Sequence, residues 1–345
     1  MKPPWKRWLM RGVKLVLALV ILFFVGWQFK HDLEQPDKHD LERPNLFKIE
    51  LRPGWLLASG GLYLVGVFPA AWFWRHLHGK LGYPISLYAA IRAHYIGQLG
   101  KYVPGKAMAV LIRSELVHPC GVPYSVSIIV SFYEVFSGMA AGALVAALIY
   151  LVQPRSLSGL PTLAAGLEGH PLWIGLVLIG VCGIPLLPGV FNFVVARLTA
   201  RIQAVELYRL PPVRFGTLMA GLLTSALGWW AQGLSVWAML QAVVPDLPAF
   251  TFSSWAQCTA GIAFSNVAGF LILVAPAGLG VREYLLRILL SSFGPGKYIA
   301  ASAILLRLDW IIAEACFAAA TYWCQPAGNP REPAGSSISN PQTPR

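Results

Sequence analysis

Apolar runs long enough to cross a bilayer alternate along this chain with short polar connections. Seven such segments stand out, at about 13–29, 54–74, 125–150, 171–193, 216–243, 252–275 and 298–323. At 1.5 Å of rise per residue, about 20 helical residues cross the hydrocarbon layer. The stretches Gly54 to Trp74, Phe215 to Pro245 and Leu247 to Val281 carry no charge at all. This pattern predicts an all-α fold, a polytopic helical membrane bundle of about seven spans. It assigns one domain to residues 1–323. The tail 324–345 is rich in Pro, Ser, Gly and Asn, cannot bury a core and is expected to be disordered.

One segment breaks the rhythm. IGQLGKYVPGKAMAVLIRSEL, residues 96–116, puts Lys101, Lys106 and Arg113 into an apolar setting, with Pro104 and Gly105 between the lysines. Residues 83–116 are too short for two comfortable spans. They predict a re-entrant pair of half-helices, one from about Ile85 to Gly100 and one from about Lys106 to Leu116, turning at KYVPG. A broken helix in a membrane must be buried in protein or line a wet cavity. The free N–H groups of the second half-helix, beside two lysines, would suit a phosphate or carboxylate. The alternative is an amphipathic surface segment with snorkelling lysines. A looser echo follows in APAGLGVREYLLR, residues 275–287, and paired broken segments can mark an internal repeat around a transporter site.

Composition supports the membrane reading. The chain is 56% hydrophobic and 12% charged, against about 25% charged in soluble domains. The formal charge of +12 lies on no soluble basic surface, which excludes a nucleic-acid partner. Basic residues instead orient the loops. Residues 1–14, 75–114, 194–214 and 282–297 are expected inside. Residues 30–53, 152–170, 244–251 and the tail after Trp323 are expected outside. This predicts a multi-pass protein of the cytoplasmic (inner) membrane with a cytoplasmic N-terminus. The first segment ends in Trp27, Gln28 and Phe29, without a small-residue cleavage site, and reads as an uncleaved span. Five scattered cysteines and a lone His76-x-His78 pair suggest neither metal nor disulfides.

Charges inside the spans carry the candidate chemistry. Glu134, Arg307, Asp309 and Glu314 lie within apolar runs, where a charge costs at least about 2.5–3.5 kcal/mol unless it faces the interior and pairs. Arg113, Glu134, Arg282, Glu283, Arg307 and Glu314 either line one polar path or form static interhelical ion pairs.

The order YxxGQLGKYVPGKxxxxxxR, then Glu134 in SFYE, then PAGLGVRE, then the Arg307 span, resembles the flippase-like family, also called the lysylphosphatidylglycerol synthase transmembrane-region family. The resemblance covers about residues 10–323. It implies a membrane-embedded protein that moves an anionic phospholipid or polyprenyl-phosphate-linked lipid between leaflets. Headgroup ligands would be Lys101, Pro104, Gly105, Lys106, Arg113, Arg282 and Arg307. Glu134, Glu283 and Glu314 would balance charge. Bifunctional members add a cytosolic aminoacylating domain. Only about 22 residues follow the last span here, so synthase activity is not expected, nor is any cofactor. No Walker A, DxD, HExxH or GxSxG motif occurs. The alternatives are a non-transporting partner of lipid or envelope biosynthesis enzymes, and a lipid-modifying transferase.

Overall fold

The computed structural model describes residues 50–102, 108–153, 180, 183–202, 211–271 and 280–323. Among these residues there are nine α-helices and no strands. They are α1 (Pro53–Lys80), α2 (Leu87–Gln98), α3 (Met108–Val117), α4 (Tyr124–Val152), α5 (Pro188–Ile202), α6 (Phe215–Val243), α7 (Phe252–Leu271), α8 (Val281–Leu289) and α9 (Gly296–Trp323). The predicted spans at 54–74, 125–150, 216–243, 252–275 and 298–323 correspond to α1, α4, α6, α7 and α9. The segment 13–29, most of 171–193 and the tail 324–345 lie outside the described residues.

Local chemistry sets the ends of these helices. Pro53 opens α1, where a missing N–H costs nothing. Ser86 caps α2 by accepting from the Ala89 amide at 3.1 Å. Thr251 and Ser254 cap α7 reciprocally, each backbone amide donating to the other's hydroxyl at 3.0 and 3.1 Å. Gly280, at φ 92°, supplies the left-handed residue before α8. Its amide then donates to Glu283 at 2.7 Å.

Long helices α1 and α4 have the length and hydropathy of spans, with mean hydropathy of 1.6 and 2.2 over their most apolar windows. Leu57, Val65, Leu148, Leu223, Leu227 and Ile312 point outward from the bundle as large exposed apolar side chains. In water they would be a liability; against lipid they are the expected outer face. The interior holds two apolar clusters, one around Tyr63, Leu240, Ile262 and Leu306 and the other around Phe73, Leu77, Val126 and Leu186. Leu222 and Phe264 pack against both.

Helices α2 and α3 form the expected broken hairpin. The chain rises through α2, tightens into a 3-10 turn over Leu99–Tyr102 and returns as α3. Glycine makes the close crossing possible. A side chain at Gly100 would place its Cβ 2.6 Å from the Ala109 nitrogen, and one at Gly97 would collide with Arg113. Ala90, Ala93, His94, Tyr95 and Arg113 are buried, so α2 and α3 pack into the bundle, while Met108, Leu111 and Glu115 of α3 face outward.

The expected order of faces needs a correction after α7. Helix α1 begins beside the end of α6, the Arg52 amide donating to the Ala242 carbonyl at 3.1 Å. That end of the bundle, the first face, also carries 244–251. Residues 290–296 join it: Phe293 lies against Trp237, with ring centroids 5.9 Å apart, and Gln257 donates to Ser292 at 2.7 Å. At the opposite, second face, Tyr88 donates to the Thr321 carbonyl at 2.9 Å and Arg92 lies over the Tyr322 ring. So 282–297 is not a loop on the face of 75–86, and Trp323 does not end opposite it. The reason is α8. Leu286 and Leu289 pack beside Gly261, half-way along α7, so α8 is a half-length return rather than a connection. It reverses the side of everything that follows.

Candidate functional site

Three broken or polar elements meet at the centre of the bundle. The 3-10 turn after α2 brings Lys101 and Tyr102. The start of α8 brings Arg282 and Glu283. The middle of α9 brings Arg307, Trp310 and Glu314, which lie on one side of the helix at three- and four-residue spacing.

Glu314 is completely buried, yet three donors satisfy it. Its Oε1 accepts from the Tyr63 hydroxyl and the Lys101 ammonium, and its Oε2 accepts from the Tyr102 hydroxyl at 3.0 Å. Lys101 also donates to the Tyr63 oxygen at 3.2 Å. Glu283 is used as fully. One oxygen takes the Arg307 guanidinium and the other caps α8 through Gly280.

Arg282 is held differently. Its guanidinium carbon lies 4.6 Å from the centre of the Trp310 ring. Tyr63 stacks on Trp310 at 4.0 Å with the planes 16° apart, so it fills one face and leaves the other to Arg282. The indole N–H donates to Ser235 at 2.9 Å, which fixes the ring. Among the described residues no carboxylate pairs with Arg282, which is only half-buried. Arg282 and Arg307 lie within electrostatic reach of Lys101, and Arg282 of Tyr63 and Tyr102. Three cations therefore face two carboxylates, a local excess of one positive charge among the described residues.

Of the residues expected at the site, Lys101, Arg282, Arg307, Glu283 and Glu314 come together here. Arg113 and Glu134 pair with each other at 2.7 Å, both buried, between α3 and α4. No hydrogen bond or ion pair among the described residues joins them to the central group. The single polar path is thus resolved into a central cluster and a separate pair. Pro104, Gly105 and Lys106 lie outside the described residues.

Tyr63, Tyr102 and Trp310 belong to the site without having been expected there. Tyr63 sits in an uncharged span and gives no local signal. Tyr102 could have been found by its place between Lys101 and the Pro-Gly turn. Trp310 is marked in the sequence only by lying mid-span, away from the span ends that Trp favours.

Metal chemistry has no donor set here: among the described residues no three His, Cys, Asp or Glu side chains converge. His78 bonds back to the Trp74 carbonyl at 2.9 Å while His76 stacks on Trp72, so this pair shares no ligand.

A comparison with curated proteins finds no match. The family model for the lysylphosphatidylglycerol synthase TM region matches residues 12–308. That is most of the chain, including both broken elements and the start of the polar face of α9, and the chain belongs to this family of membrane proteins of lipid metabolism or transport.

Proposed function

We propose that this protein moves a lipid with an anionic headgroup, a phosphoglycerolipid or a polyprenyl-phosphate-linked lipid, between the leaflets of the cytoplasmic membrane. The observation that carries this reading is Arg282, a half-buried guanidinium held on the Trp310 ring with no carboxylate partner among the described residues. A cation at mid-bundle depth is expensive unless an anion meets it. Arg282 and the neighbouring Lys101 offer a phosphate several donors at once. Glu134, Glu283 and Glu314 are each engaged by a cation, which leaves none of these three free as a general base. Asp309 has no ion pair among the described residues, but it lies against Gly60 of α1 rather than in the central cluster. Arg75, Lys80 and Arg214 lie toward the second face, whereas on the first Arg52 and Lys297 are balanced by Glu50 and Asp246. By the positive-inside rule the second face is cytoplasmic, and a crossing by residues 13–29 would put the basic N-terminus there too.

The test is leaflet exchange of fluorescent phosphatidylglycerol, phosphatidylcholine and polyprenyl-phosphate probes in proteoliposomes. Wild type is expected to exchange an anionic probe faster than the zwitterionic one. Arg282→Gln is expected to assemble normally and lose that preference. Absence of exchange for every anionic probe would overturn the reading and favour a scaffold within a lipid-biosynthesis complex.

A further inference from the structure

The two halves of the bundle repeat one another upside down. Helices α1 and α6 cross backbone to backbone at Gly66 and Gly228, where a Cβ on either would come within 3.1 Å or less of the other's carbonyl oxygen. Seven residues out in one direction Ser59 meets Ser235, and seven out in the other Phe73 meets Gly221. Any antiparallel pair has such a local two-fold. Here the relation extends outward. Helix α1 packs on α2 as α6 packs on α7, α2 on α3 as α7 on α8, and α3 on α4 as α8 on α9. The contacts between halves correspond as well: α2 meets α9 as α7 meets α4, and α1 meets α9 as α6 meets α4.

The buried ion pairs follow the same exchange with their charges reversed. Arg113 on α3 reaches Glu134 on α4; Glu283 on α8 reaches Arg307 on α9. In each half a short returning helix is pinned to the long helix after it, and the two returning helices leave toward opposite faces. We infer that residues 53–152 and 215–323 form an inverted repeat, and that these two ion pairs are its paired gates, Arg113–Glu134 guarding the route from the second face and Glu283–Arg307 the route from the first. For its ligand this inference rests on the anionic-headgroup reading; for its geometry it does not. Inverted repeats around a broken-helix site suit alternating access.

The experiment uses the full-length protein in sealed vesicles of both orientations, its five cysteines replaced, and a membrane-impermeant maleimide. Lys80→Cys and Trp323→Cys are expected to label from one side, and Pro245→Cys and Ser291→Cys from the other. These four positions are exposed, so folding is not at stake, and labelling of Pro245→Cys and Ser291→Cys from opposite sides would overturn the repeat. A reporter Gln98→Cys beside the site then reads the gates. Glu134→Gln is expected to raise its labelling about tenfold from the Lys80 side only, and Glu283→Gln by a similar factor from the Ser291 side only. Both variants acting from one side, or neither acting, would overturn the gate assignment. If Glu134→Gln does not assemble, the Glu283→Gln arm alone decides, because its side is fixed in advance. Lipid movement is not measured, so failure here and failure of the headgroup reading are distinguishable.

Discussion

The two broken hairpins make an instructive pair. In the first, α2 and α3 are locked together: Gly97 and Gly100 admit the other strand at backbone distance, and the tip residue Lys101 reaches across to Glu314 in the other half. In the second, Gly261 on α7 leaves ordinary van der Waals spacing to Leu286, Leu289 and Leu290, and the tip residue Arg282 rests on an aromatic face. One tip is paired with a carboxylate, while the other has no carboxylate partner among the described residues. On the headgroup reading proposed above, the same architecture supplies a fastening at one end and a receptor at the other.

Removing the fastening is expected to have the largest effect. Glu314→Ala leaves Lys101 without its carboxylate partner and orphans two tyrosine hydroxyls, at about 3–5 kcal/mol for breaking a buried pair. Thermal unfolding in detergent should show loss of a folded, monodisperse species. The double variant Lys101→Met/Glu314→Met should recover most of it. No recovery would mean that Glu314 acts through Tyr63 and Tyr102 instead.

The two gate pairs separate next. Glu134→Gln should cost about 3 kcal/mol, because the Arg113 side chain is only 5% exposed. Glu283→Gln should cost less, about 2 kcal/mol, because Arg307 is 14% exposed and the amide oxygen can still cap α8. Unfolding midpoints of the two variants decide the order; the reverse order would break the comparison.

Glycine substitutions sharpen it further. Gly100→Ala meets backbone at 2.6 Å and should lose about 1–3 kcal/mol to overpacking. Gly261→Ala has room and should be neutral or stabilising by up to about 1 kcal/mol. Equal effects in a thermal-shift assay would mean the hairpins are equally tight. Trp310→Phe keeps a ring under Arg282 but loses the bond to Ser235, worth about 1 kcal/mol, and leaves a void where the buried indole stood; the same thermal-shift assay reads the combined loss.

Much of this was legible in the sequence, for physical reasons. Long uncharged runs fixed most helices because hydrocarbon tolerates little else. Pro-Gly between two lysines marked the first hairpin because no straight span accommodates it. The second hairpin was harder. Arg282, Arg287 and Lys297 read as a basic loop, and in VREYLLRIL the buried leucines are outnumbered by polar neighbours. Misreading one half-length return as a loop then inverted the side assigned to the tail. At the site, the charged residues were visible but their partners were not. Lys101 and Glu314 lie 213 residues apart in sequence, and no local periodicity encodes a pairing across that distance. Tyr63 contributes a hydroxyl to Glu314 and a ring face to Trp310, yet in the sequence it looks like any aromatic in a span.

The crossing of α1 and α6 has a mechanical consequence. At Gly66 and Gly228 the two backbones touch, with the Gln232 side chain laid beside Gly66. Seven residues away on one side Ser59 and Ser235 share hydrogen bonds, and seven away on the other the Phe73 ring seats in the notch left by Gly221. Three fixings along arms of 28 and 29 residues make a splint rather than a pivot. Such a pair moves as one rigid beam, and any change of access to the site must come from the shorter helices packed around it.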